Sequence, residues 1–179
     1  MRLSYVLLLA LAGPLAAQTP KDTGFAALQQ RGKMVMGVDQ YTSLHRFDDL
    51  PDGGRIVLTR SAADTAGVRA IRAHLADIVR AFEAGDFGHT MAVHQHELPG
   101  TAIMRERRTA IRYRLDTLPG GGAVRLTTRD TTAVRAIHQF LAAQRGEHHA
   151  GGAPASSRPG AHSRRRDAYA GLPYRPGDG

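Results

Sequence analysis

The chain predicts an α+β domain: an internally duplicated ββα-type unit whose four-stranded antiparallel sheet carries two amphipathic helices on one face. Three observations lead there. First, one hairpin-like string occurs twice, as HRFDDLPDGGRIVLT from His45 to Thr59 and as YRLDTLPGGGAVRLT from Tyr113 to Thr127. At a spacing of 68 residues the copies share Arg46/Arg114, Asp48/Asp116, Leu50/Leu118, Pro51/Pro119, Gly53/Gly121, Gly54/Gly122, Leu58/Leu126 and Thr59/Thr127. Second, a related amphipathic run follows each copy at a spacing of 66: Val68-Arg69-Ala70-Ile71 recurs as Val134-Arg135-Ala136-Ile137, and Leu75-Ala76 as Leu141-Ala142. Third, two copies are too few for a solenoid, which needs at least three stacked units to bury its faces. The units are therefore expected to close on each other as one domain.

Taken in order, the chain opens with a positive Met1-Arg2, an apolar Tyr5 to Ala12 and small residues near Ala17. This pattern predicts a cleaved signal peptide over 1–17, too short to span a bilayer, and a secreted or periplasmic protein. Residues 18–30 are expected to be a leader, with one or two helical turns from Phe25 to Gln30 ending at Gly32. The duplicated domain is expected over 31–149, with repeat one about 31–85 and repeat two about 99–149. In the first strand, Ser43 to Asp48, alternation puts Ser43, His45 and Phe47 on one face and Leu44, Arg46 and Asp48 on the other. The second copy aligns Tyr113 and Leu115 with His45 and Phe47, so that face is the core and the Arg/Asp face is expected to be wet. Leu-Pro-x-Gly-Gly is the turn, with Pro and Gly supplying its dihedrals. Asp64 and Asp130 stand as N-caps before apolar runs of period 3 to 4: Val68, Ile71, Leu75 and Phe82 in one helix, Val134, Ile137 and Leu141 in the other. The second helix is expected to lose its apolar stripe at Gln144. Residues 86–99 read as a linker, and 150–179, rich in Gly, Pro and Arg, as a disordered tail.

Composition narrows the chemistry. There is no cysteine, which excludes thiolate catalysis, disulfides and Cys-ligated metal. The formal charge of +8 is partly a tail effect, since +4 remains over 18–149. Nucleic acid is not the expected partner, and no further transmembrane stretch is present. No GxSxG elbow, P-loop or dinucleotide fingerprint occurs, so no catalytic residues are assigned.

Histidine is the one over-supplied functional residue, at nine. His45 and His138 break the repeat, standing where the other copy has Tyr113 and Arg72. With His94 they form the first candidate metal set, and His96, His148 and His149 the second. Met36, Asp39 and Tyr113 are the expected lining residues. Imidazoles with a thioether suit copper, and imidazoles with a carboxylate suit zinc. The expected function is therefore an exported, non-enzymatic binding module for a transition metal, Cu or Zn, or for a small ligand. The alternative is an interaction protein that holds an anionic envelope partner on the Arg105–Arg114 face, through Arg105, Arg107, Arg108 and Arg112.

RGKMVMGVDQYTSLHRF, the hairpin, VHQHELPGTAIM and AIHQFLAAQRGEHH together resemble a family of short exported bacterial proteins of unestablished function, over about Gln30 to Gly151. Some members carry an aspartate carbamoyltransferase label. That activity requires a two-domain fold on a much longer chain and a Ser-Thr-Arg-Thr phosphate loop. The nearest string here is Leu58-Thr59-Arg60-Ser61, so the resemblance implies domain limits and no mechanism.

Overall fold

Residues 23–38 and 40–152 are described by a computed structural model of the chain. The expected signal peptide, Asp39 and the expected tail from residue 153 lie outside the described residues. The elements run α1 Thr23–Met36, β1 Leu44–Leu50, β2 Gly53–Thr59, α2 Thr65–Glu83, α3 Gly88–His94, α4 Thr101–Glu106, a short 3-10 turn, β3 Arg112–Leu118, β4 Gly121–Thr127 and α5 Thr131–Glu147. The four strands form one antiparallel sheet in the order β1-β2-β4-β3, so the two hairpins meet through their second strands.

Strand alternation sets the core as expected. Three rows cross the sheet on the inner face: His45–Leu58–Gly122–Thr117, Phe47–Ile56–Val124–Leu115 and Asp49–Gly54–Leu126–Tyr113. Most of these aliphatic and aromatic side chains are buried, as are Ile71, Leu75 and Phe82 of α2 and Ile137, Phe140 and Leu141 of α5. Each such side chain contributes about 1.5–3 kcal/mol on leaving water. The helices cross over: α2 packs on β3 and β4, and α5 on β1 and β2. The shared glycines allow it. A Cβ at Gly54 would run into Leu141, and one at Gly122 would press on Leu75. Gly53 and Gly121, at φ +140° and +159°, sit where β2 and β4 come together, and a Cβ there would strike the carbonyls of Leu126 and Leu58. Both predicted caps are made. Asp64 accepts from the Gly67 amide at 2.9 Å, and Asp130 from those of Thr132 and Ala133 at 2.8 and 3.2 Å.

Five expectations change. The leader does not stop at Gly32: α1 runs on to Met36 and buries Leu28, because its far face packs on α3. The linker contains α3, which ends in a left-handed Gln95 at φ 65°. α5 does not lose its buried side at Gln144; Gln144 and the C-cap His148 are both buried, with polar rather than apolar partners. The chain after α5 is held as far as Gly152: the Phe47 amide donates to the Gly151 carbonyl at 3.0 Å, beside the outer edge of β1. The Arg/Asp face is also not uniformly wet. Asp48 is 2% exposed, since Arg46 and Arg55 both fold over its carboxylate. Among the described residues no helix is long and apolar enough to cross a membrane.

Candidate functional site

A cavity of about 80 Å³ lies over the β1–β2 side of the sheet, between α2 and α5, with α1 and α3 closing it. Its floor is apolar, from Phe47, Ile56, Leu58, Leu75 and Phe82. Its polar lining is almost all imidazole: His45 from β1, His74 from α2, His89 and His94 from α3, and His148 at the end of α5. Met36, Thr90 and Gln144 also line it, and among the described residues no carboxylate does. Gly32 forms part of the α1 wall, where a Cβ would meet nothing within 4 Å.

The innermost histidines are His45, His94 and His148, all buried. His94 Nε2 and His148 Nε2 face each other at 3.3 Å. Each ring is fixed from behind. His94 Nδ1 donates to Glu147 Oε2 at 2.7 Å. His148 Nδ1 donates at 2.8 Å to Gln40 Oε1, which also accepts from Gln29 Nε2 at 2.7 Å, while Gln40 Nε2 donates to the His148 carbonyl. Because the carboxylate and the amide oxygen only accept, both Nδ1 atoms carry the hydrogen. Burial, with neighbouring His45 and His94 adding to it, holds the His148 imidazole down at about 3. Its Nε2 therefore presents a lone pair at neutral pH, aimed at His94. Gln144 Oε1 lies 3.2 Å from the same His94 nitrogen.

His45 stands beside this pair, its ring centroid 5.6 Å from that of His148, with Ser43 Oγ 3.2 Å from its Nε2. Burial, and secondarily His74, lowers His45 to about 4. His74 is lowered to about 4 by burial and by His89, with Asp77 acting the other way. These rings are neutral bases across the ordinary pH range, the form in which histidine binds metal.

The expected residues divide accordingly. His45, His94, His148 and Met36 meet at the cavity. His96 does not line it, but its Nε2 shares Glu147 with His94, at 3.0 Å. His138 is elsewhere. Its Nε2 lies 3.0 Å from the carbonyls of both Leu50 and Gly53, tying down the end of the first hairpin. Arg72 does the same for the second, donating to Gly121 and Leu118 at 2.9 and 2.7 Å. The break in the repeat at His138 is thus a change of donor for one structural task. His149 stacks on Phe25 at 4.2 Å rather than reaching the cavity. Tyr113, the counterpart of His45, is core: its ring packs against Phe82, its hydroxyl is buried without a partner, and burial raises its pKa. Asp39 lies outside the described residues. His74 was not singled out by the sequence, and His89 was in neither candidate metal set. His74 looks like one more polar position on an amphipathic helix, and only the placement of α3 turns it toward a cavity.

The proposed anion set is largely occupied by the domain itself. Arg105 pairs with Glu97 at 3.1 Å, Arg107 with Glu106 and Asp130 at 3.4 and 3.1 Å, and Arg108 donates to the Arg105 carbonyl. Arg112 is exposed on β3. Among the described residues, no group of three or more histidines and carboxylates is arranged as a ready-made metal site. Compared with known proteins, the chain matches no family model, no curated protein and no solved structure.

Proposed function

We propose that this chain is an exported, non-enzymatic binding module that takes a transition-metal ion, copper(I) in preference to zinc, between His94 and His148. The observation that carries the reading is the pair of Nε2 atoms facing each other at 3.3 Å with both Nδ1 atoms held from behind. A carboxylate or amide on the outer nitrogen is the usual support of a metal-bound imidazole. Two imidazoles on one tetrahedral ion at about 2.0–2.1 Å stand about 3.3–3.4 Å apart. His45, Gln144 and Met36 line the same cavity, Gln144 Oε1 at 3.2 Å from His94 Nε2, and are the candidates for the remaining ligands.

The preference for copper(I) follows from charge. The cost of burying an ion rises steeply with its charge. The cavity offers neutral imidazole, amide and thioether, and among the described residues its lining holds no carboxylate, Glu147 standing behind His94. A monovalent ion is the cheaper guest, and Met36 suits a soft one. The N-terminal signal pattern supports export. Anaerobic titration of the full chain with copper(I) against a chromophoric chelator, and in parallel with zinc, tests the reading. The first ion should be held in competition with the chelator, and His94→Gln with His148→Gln should weaken it at least a hundredfold. Failure of both ions to bind removes the proposal.

A second reading keeps an anionic partner but shifts its contact surface. Arg55, Arg125 and Arg114 lie directly opposite one another on adjacent strands, on the face turned away from α2 and α5. Each is already matched by a carboxylate, Arg55 by Asp48, Arg125 by Asp52 and Arg114 by Asp116, so an anionic partner has to compete with these pairs. Binding to anionic vesicles that disappears in high salt and on reversing the charge of Arg55 and Arg114 is its test.

A further inference from the structure

We infer that His74 and His89 form a second copper(I) station at the outer side of the same cavity, and that His45 passes the ion between this station and the inner pair. The inference rests on the proposed function above and deepens it. His74 is on α2 and His89 on α3, so neither follows from the repeat or from a local motif. Their rings stand edge to face, with centroids 5.9 Å apart. Both are half-buried, whereas His45, His94 and His148 are buried. All five line one cavity, so an ion entering it meets the outer pair before the inner one.

A purely structural role for this pair is poorly matched to its surroundings. Two half-buried imidazoles against an apolar floor of Ile78 and Phe82 lose water without gaining a full set of hydrogen bonds, and aliphatic side chains would pack there at less cost. Two imidazoles are, however, enough for copper(I), which accepts low coordination, while zinc demands four ligands. His45 is the link. It lines the same cavity as His74, and its ring centroid is 5.6 Å from that of His148. Passage is then ligand exchange. The ion gains a bond to a His45 nitrogen as it loses one to His89, gains His148 as it loses His74, and gains His94 as it loses His45. Each step forms one nitrogen–copper bond and breaks one, the metal stays copper(I), and no proton or electron has to be supplied.

Native mass spectrometry and anaerobic chelator competition on the full chain, with copper(I) alone as the probe, test this. The wild type should take two ions in succession. His74→Gln with His89→Gln should lose the second ion, keep the first with unchanged affinity, and load it at least tenfold more slowly from a copper(I)–chelator complex. Imidazole NMR resonances of the wild type, which need no variant to fold, should shift for His94 and His148 with the first equivalent and for His74 and His89 with the second. A single ion per chain with loading unaffected by the double substitution overturns the second station and leaves the inner site standing. No ion on the wild type removes both.

Discussion

Asp48 and Asp116 occupy the same position of the two hairpins, yet neutralising them should have unequal effects. The Asp48 carboxylate is 3% exposed and takes Arg46 Nε at 2.8 Å on one oxygen and Arg55 Nη2 and Nε at 2.8 and 3.2 Å on the other. The Asp116 carboxylate is 39% exposed and meets only Arg114, at 3.2 Å. Replacing Asp48 by Asn keeps the shape but removes the charge and turns an amide NH2 toward a guanidinium, setting donor against donor. Hydrogen bonds to charged groups contribute about 1.5–3 kcal/mol each. Arg46 and Arg55 remain about 40% exposed and regain water, which limits the loss to about 2–3 kcal/mol. Asp116→Asn should cost less than about 1 kcal/mol, as for other exposed pairs. In urea, with a slope of about 1–3 kcal/mol per molar, the difference between the variants is about 1 M in midpoint. Equal midpoints for the two, or a larger loss from Asp116→Asn, would show that the burial of Asp48 does not govern its energetics.

Acid should destabilise the metal-free chain well above the carboxylate range. His45, His74 and His148 are held at about 4, 4 and 3 when folded, below the ~6.5 of an unfolded histidine. Their contribution is therefore full above pH 6.5 and is lost as pH falls toward 4. Each should add about 1.4 kcal/mol per pH unit to the slope over that interval, and a stability flat between pH 7 and 5 would contradict it. His138→Ala and Arg72→Ala should lower the urea midpoint by similar amounts, about 1–2 kcal/mol each from two unpaired carbonyls, while copper(I) stoichiometry stays at the wild-type value. A chain ending at His149 should unfold about 1 kcal/mol more easily than one ending at Gly152, since it lacks the Phe47–Gly151 hydrogen bond. Thermal or urea denaturation of the pair measures it, and identical midpoints would place the domain limit back at His149.

The sheet, its two covering helices and both Asp caps were legible in the sequence, because they rest on local periodicity and on a string the chain uses twice. Period-two alternation is enough to place His45 and Phe47 inside, and a recurring Leu-Pro-x-Gly-Gly is enough to place both turns. What each shared residue touches was not legible. Gly54 and Gly122 read as turn glycines, but their need arises from Leu141 and Leu75 of helices that cross to the opposite hairpin. Asp48 and Asp116 read alike, but Asp48 has a second arginine, Arg55, opposite it, where the other copy has Ala123. The histidine site divides in the same way. A surplus of imidazole without cysteine pointed to metal chemistry, and His45 and His94 do reach one cavity. His138 was misplaced because breaking a repeat marks a residue as different without saying what it faces. His74, His89 and the pairing of His94 with His148 depended on α1 and α3, the two helices outside the repeated pattern. Their packing is a matter of long-range contact, and no spacing along the chain encodes it.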